Sequence, residues 1–142
     1  MTKLQVEQYE YGFDLINKII SGKWKRNIIY SLGIQPMRYG QLLRFIRENT
    51  ARKHPLSKKV LTQQLNSLIA NKIVIKQSFD SNPPKTVYSL TPEGQQLNKL
   101  TLKLSLFGDD LAKQLETNDF SIQFKHQTQP LIDWQKKQTL SK

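Results

Sequence analysis

The stretch from Ser57 to Gly94 constrains the fold more than any other part of the chain. Leu61, Leu65, Leu68 and Ile69 recur at i, i+4, i+7 and i+8, which places them on one face of a helix. Ser57 stands where a side-chain oxygen caps the first turn, and Asn71-Lys72 stops the last. Two β-branched and aromatic runs follow at once, Ile73 to Phe79 and Thr86 to Leu90, and predict strands. Asp80-Ser-Asn-Pro-Pro-Lys85 between them is too long for a tight hairpin and predicts a protruding loop. Thr91-Pro92-Glu93 then opens another helix with a cap, a proline at the first position and an acid in the first turn.

Three helices are predicted upstream. Phe13, Ile16, Ile19 and Ile20 set a helix over 6–20, ended by Ser21-Gly22. A second starts near Lys23 and runs through Trp24, Ile28, Ile29 and Leu32 until Gly33 stops it, with Pro36 barring continuation. A third covers 38–47 with Leu42, Phe45 and Ile46 inward, and 48–56 reads as a basic loop. Helix, helix, strand, turn, strand is the order of a winged helix-turn-helix, so the expected fold class is mainly α with a small β-wing.

The final helix is predicted to run from Thr91 to about Glu116. Leu97, Leu100, Leu104, Phe107 and Leu111 alternate three and four apart, a seam of the coiled-coil kind, while Leu102, Leu106 and Leu115 lie off it. One stripe can pack on the domain while the other meets a partner helix. Gly108 weakens this helix and marks a candidate bend. Pro130, Leu131, Ile132 and Trp134 stand between polar runs and predict a loop with a short helix. The expected organisation is one domain over 1–118, terminal helices included, and a C-terminal tail over 119–142.

Charge narrows the function. Between Leu15 and Phe79 there are 13 basic residues and a single acid, Glu48, so the whole surplus behind the net charge of +11 belongs to one contiguous segment. Solubilising charge is spread along a chain and mixed in sign, whereas a one-signed segment suits a polyanion. Hydrophobic residues make up only 37% of the chain, which suits a modest core or one completed by a second subunit. The chain has no cysteine, which excludes disulfides, thiolate zinc sites and thiol redox sensing. Its N-terminus lacks an apolar signal core and no run approaches the roughly 18 apolar residues of a membrane span, so a soluble, cytoplasmic protein is expected.

The helix behind Ser57 is the candidate reader. Gln63 and Asn66 suit bidentate amide contacts to adenine, Lys58 or Lys59 reaches guanine or phosphate, and Thr62 meets a thymine methyl. Arg38, Lys53 and Lys85 are placed as phosphate clamps, which set register without reading sequence, and Lys76 is a further candidate DNA-binding residue. An RNA-binding or protein-binding winged module is the alternative. The polar, basic outer face speaks against a purely protein-binding role, and the absence of exposed stacking aromatics there speaks against RNA, with Tyr39 and Phe45 assigned to the core. His54 and His126 sit without a nucleophile or acidic cluster, and Asp109-Asp110 point apart on a helix as a solvated turn. No enzyme, metal site or cofactor is therefore expected. A small-molecule effector is compatible with this reading, in a pocket built from Trp24, Tyr30 and the 13–20 stripe at a dimer interface.

Four segments in order carry a family resemblance: Ile20-Ser-Gly-Lys-Trp-Lys25, Met37-Arg-Tyr-Gly-Gln-Leu42, Ser57-Lys-Lys-Val-Leu-Thr-Gln-Gln-Leu65 and Pro83-Pro-Lys-Thr-Val-Tyr-Ser-Leu-Thr-Pro-Glu-Gly94. Over about residues 14–97 the chain resembles the HxlR-type helix-turn-helix regulators, relatives of the MarR-like winged-helix proteins. The resemblance implies a homodimer on a palindromic DNA operator, joined through the first and last helices. Phe13, Ile16 and Ile20 would meet Leu97, Leu100, Leu104, Phe107 and Leu111 there. It also implies that Ser57, Lys58, Thr62 and Gln63 occupy recognition-helix positions and that Asn82 to Lys85 form the wing tip. Two features depart from the family pattern: the cysteine that several members use near the first helix is absent from Glu10-Tyr-Gly-Phe-Asp14, and the 48–56 loop is longer.

Overall fold

Leu32, Leu42, Ile46, Leu61, Leu65 and Leu68 are buried together and make the centre of the core. The computed structural model describes residues 4–50 and 54–140, the side chains of 138–140 excepted. Its elements are α1 (Gly12–Ile20), α2 (Lys25–Ile34), β1 (Met37–Arg38), α3 (Tyr39–Glu48), α4 (Lys58–Ala70), β2 (Val74–Phe79), β3 (Lys85–Leu90), α5 (Pro92–Leu115) and α6 (Thr128–Leu140). The strands form one antiparallel sheet in the order β1-β3-β2, with Met37 opposite Tyr88 and Phe79 opposite Lys85. This is the expected winged helix-turn-helix, mostly helical with a small sheet.

The α4–wing–α5 unit follows its local chemistry closely. Ser57 accepts a hydrogen bond from the Val60 N–H at 3.1 Å, the N-cap the sequence predicts. At the other end Lys72 takes a left-handed φ of 64°, its N–H reaches the Ile69 carbonyl, and the Ile73 N–H reaches that of Leu68. That is a Schellman stop, closed by the buried pair Leu68 and Ile73. The Thr91 hydroxyl accepts from the Gly94 N–H at 3.0 Å and donates to the Lys72 carbonyl at 2.6 Å, joining the cap of α5 to the end of α4. An added Cβ on Gly94 would overlap the Ile73 carbonyl, so α5 starts directly on that corner. Ser57→Ala should lower the unfolding free energy by about 1 kcal/mol, read as a lower urea midpoint with an unchanged slope.

Several boundaries differ from expectation. The first helix starts at Gly12 rather than at residue 6, because the Asp14 carboxylate accepts the Tyr11 N–H at 3.0 Å and starts the helix there. Gly33 does not stop α2, which continues to Ile34. Asn98 of α5 comes so close that a Cβ at Gly33 would strike its amide, so this glycine serves packing. Arg38 belongs to β1 rather than to the third helix, since Met37 and Arg38 pair with Tyr88 and Val87. Gly108 interrupts nothing; α5 passes through it to Leu115.

The segment after 118 carries more structure than a loop with a short helix. α6 has 13 residues and lies on α2 and α5. Gln135 is buried and links the two, donating to the Tyr30 carbonyl at 3.1 Å and accepting from the Asn98 amide at 2.9 Å. Asp109 is not a merely solvated turn residue: its carboxylate accepts the Thr128 N–H at 3.3 Å, at the first residue of α6. The Phe45 and Trp134 rings stack with centroids 6.0 Å apart, so α6 also touches α3.

Candidate nucleic-acid interface

Both ends of α3 are tied to the start of α4 and the residue just before its cap. Arg47 Nε donates to the Leu56 carbonyl at 2.8 Å, and Leu56 is itself buried. At the start of α3 the Tyr39 hydroxyl donates to the Lys58 carbonyl at 2.7 Å and lies 3.0 Å from the Thr62 hydroxyl. Its ring packs against Tyr88 of β3, with centroids 6.4 Å apart. Tyr39 was expected in the core; it is half-buried and latches α3 onto the exposed side of α4. The sequence carries no sign of this, because a tyrosine at the head of a helix reads equally well as an apolar anchor.

With the latch in place, α4 turns Leu61, Leu65 and Leu68 inward and exposes Lys58, Lys59, Thr62, Gln63 and Asn66, with Ser57 just before them. These six residues form one contiguous patch by helical spacing. No acid stands in the first turn of α4, so two lysines reinforce the positive end of the helix dipole. The patch offers ammonium, amide and hydroxyl donors, the side-chain types that reach phosphate oxygens and base edges.

The remaining four predicted residues are distributed differently. Arg38 and Lys85 are exposed and share one face of the sheet, because Arg38 pairs with Val87 and Lys85 stands two residues before it. Lys76 lies opposite Tyr88 and therefore points to the other face. Lys85 is at the foot of the wing tip, with its ammonium 5.3 Å from the Phe79 ring centroid. Lys53 lies outside the described residues.

A second feature of the surface is apolar. Phe13 is 66% exposed, and Leu100, Leu104, Phe107 and Leu111 on α5 are 42–64% exposed, far more than side chains of this size leave open in a finished core. Leu115, read from the sequence as part of the second apolar stripe, is exposed too, and so are Leu4, Val6, Tyr11, Phe120 and Phe124, none of them assigned from the sequence to an apolar face of this kind. Ile16 and Ile20 are half-buried against the chain's own core, and Leu97 is buried within it. The seam read along α5 therefore divides: Leu97 packs inward with Leu102, and its other four members face outward.

Near α1, Lys18 and Glu7 form an exposed ion pair at 3.1 Å, and the Tyr9 hydroxyl donates to the same carboxylate at 2.6 Å. Tyr9 first, then Lys18, holds the Glu7 carboxyl below its ordinary value, and Tyr9 and Glu7 hold the Lys18 ammonium above its own. The Glu7 contribution is present above the unfolded carboxylate value and fades as pH falls through the folded one. That of Lys18 is present below the unfolded lysine value and fades as pH rises through the folded one. Both groups are solvated, so the pair orients residues 7–11 and adds little to stability.

Among the described residues no helix is long and apolar enough to cross a membrane. A sequence model of the HxlR-like helix-turn-helix matches residues 19–116. The uncharacterized HTH-type transcriptional regulator YkvN of Bacillus subtilis (strain 168) is 30% identical over 109 residues, which cover 77% of this chain and 86% of that protein. Among solved structures, a MarR-family transcriptional regulator from Enterococcus faecalis V583 superposes with a TM-score of 0.65 at 27% identity, covering 80% of this chain and 96% of the other. Another MarR-family regulator, from Porphyromonas gingivalis W83, gives 0.61 at 27% identity, with 75% and 98% covered.

Proposed function

The chain belongs to the HxlR-like helix-turn-helix family, and we propose that it works as a cytoplasmic homodimeric transcriptional regulator that reads a palindromic operator. The observation that carries this reading is the α4 patch, six exposed polar and basic residues on the second helix of the motif with no acid in its first turn. Gln63 and Asn66 read base edges in the major groove, Lys58 and Lys59 contact guanine or phosphate, and Thr62 meets a thymine methyl while Tyr39 holds its hydroxyl. Ser57 caps α4 with its oxygen, which leaves the hydroxyl hydrogen to donate to a phosphate. Arg38 and Lys85 contact the backbone from one face of the sheet and Lys76 from the other. The role is that of a binding protein rather than an enzyme.

The exposed apolar residues of α1 and α5 supply the second half of the proposal. A second copy of this chain covers Leu100, Leu104, Phe107 and Leu111, together with Phe13, and sets two α4 helices about one DNA turn apart. YkvN and the two MarR-family structures are all named as transcriptional regulators, which supports the same reading.

The test is a titration of the protein on the intergenic DNA beside its own gene, at two salt concentrations, against scrambled duplex and single-stranded RNA. Tight binding to that DNA alone, with half-sites about 10 bp apart, is the expected result. Equal and steeply salt-dependent binding to every competitor would leave the basic segment a general electrostatic footprint and put the RNA- or protein-binding module in its place. Lys85→Ala should weaken binding to all duplexes alike and lower the slope of log affinity against log salt by about 1. A loss confined to the operator would move Lys85 from backbone to base contact.

A further inference from the structure

Among the described residues α6 walls two hollows, and neither is the pocket expected from Trp24, Tyr30 and the 13–20 stripe. Trp24 is buried in the core, Tyr30 lines a cavity between α2, α3 and α6, and residues 13–20 line neither hollow. The second hollow, of about 390 Å³, is a groove along the antiparallel α5 and α6. Leu102, Leu106 and Ile132 make its floor, and Lys99, Lys103 and Lys136 are exposed along its rim. No Asp or Glu lines it, and among the described residues none of these three lysines has an ion pair. Lys99 and Lys103 stand four apart on one helix face, where like charges repel. The groove therefore suits a segment that is both apolar and acidic.

Such a segment precedes α1. Leu4 to Tyr11 carries Glu7 and Glu10 and no basic residue, with Leu4 93% and Val6 81% exposed. Glu7 is held by Lys18, whereas Glu10 is exposed and has no ion pair among the described residues. None of residues 4–20 lines the groove of its own copy. A second copy is better placed. Around α5 the groove lies between the side that holds α6 and the outward stripe, and Lys103 has Leu100 and Phe107 as its i−3 and i+4 neighbours. A partner seated on that stripe through its α1 carries its acidic arm to the edge of the groove. Gln95 to Leu106 is about 16 Å of helix, and eight extended residues reach about 26 Å, so the arm is long enough to fill it.

We propose that the arm Leu4–Tyr11 of each copy lies in the α5/α6 groove of the other, with Leu4 and Val6 against the apolar floor and Glu10 on the lysine rim. This rests on the homodimer of the proposed function and adds a contact to it. The family model covers residues 19–116, so the arm precedes the matched segment and the α6 wall follows it. The exchange is thus a feature of this chain rather than of the common helix-turn-helix body.

The chain has no cysteine, so introduced thiols report one contact. A tagged Val6→Cys copy is mixed with an untagged copy carrying Gln95→Cys or Gln129→Cys, one at each end of the groove, and treated with a short bismaleimide. At least one end should give a linked pair of unlike copies, and the end that links gives the direction of the arm. Yields at both ends no higher than with Ser78→Cys, exposed on the wing, would overturn the exchange. Leu4→Glu with Val6→Glu should raise the dimer dissociation constant about tenfold and leave the helical circular dichroism as it is. An unchanged constant would overturn the floor contact. Lys99→Glu with Lys103→Glu should weaken the dimer about fivefold, and Glu10→Lys in the same chain should restore part of the loss, which damage to α5 alone would not allow. No recovery would overturn the charge pairing. A mass of one chain for the unaltered protein would overturn the homodimer and this inference with it, whereas a dimer without arm linkage would overturn this inference alone.

Discussion

Replacing Leu104 with glutamate is expected to halve the solution mass, from twice the 16.6 kDa chain mass to the chain mass itself, and to abolish tight operator binding. Leu104 is 58% exposed at the middle of the outward stripe on α5, with Leu100 one turn before it and Phe107 and Leu111 after it. Covering a leucine side chain contributes about 1.5–3 kcal/mol, and a two-fold interface counts every such contact twice. A carboxylate buried there brings a desolvation cost of several kcal/mol per ion. The dimer also supplies effective concentration: once one α4 is seated, the other half-site is bound within the same complex. Losing that link lowers operator affinity by about 10²–10⁴-fold. Light scattering reads the mass and fluorescence anisotropy reads the affinity. Because Leu104 is outside the chain's own core, the monomer should keep its helical circular dichroism. An unchanged mass would remove α5 from the interface.

Gln63→Ala should cost about 1–3 kcal/mol on the operator, or roughly 5- to 150-fold, and little on random duplex. Its side chain is exposed on the α4 patch and supports nothing in the core, so its loss reports on the DNA contact alone. Thr62→Ala should produce a similar loss on the operator, but by a mixed route. The Thr62 hydroxyl lies 3.0 Å from that of Tyr39, and removing it also loosens the latch between α3 and α4. Tyr39→Phe keeps the ring on Tyr88 and removes only the hydroxyl, which separates positioning from contact. Parallel titrations of Gln63→Ala on operator and scrambled duplex give the reading, and equal losses on both would take base recognition away from Gln63.

The segment from Ser57 to Leu115 was legible because each of its signals is local. The Ser57 and Thr91 caps, the stripe on α4, the strand runs and Pro92 act through neighbours within one or two turns. Other elements were read less well because their causes lie far along the chain. Gly33 looked like a stop and is a packing contact with Asn98; β1 has only two residues and exists because β3 pairs with it. The candidate interface divides in the same way. The α4 patch follows from helical spacing, whereas the opposite faces taken by Lys76 and Lys85 follow from strand register.

Periodicity, composition and caps are properties of neighbouring residues, so the winged helix-turn-helix order, the one-signed charge between Leu15 and Phe79 and the exclusion of thiol chemistry could all be read from the chain as written. The folded contacts, by contrast, set which way Leu97 and Leu104 turn, the first inward and the second out, and fastened Tyr39 to α4. They also brought α6 back onto α2 and α5. Those outcomes depend on which distant surfaces meet, and a helical stripe states only that a face will be buried, not what will bury it.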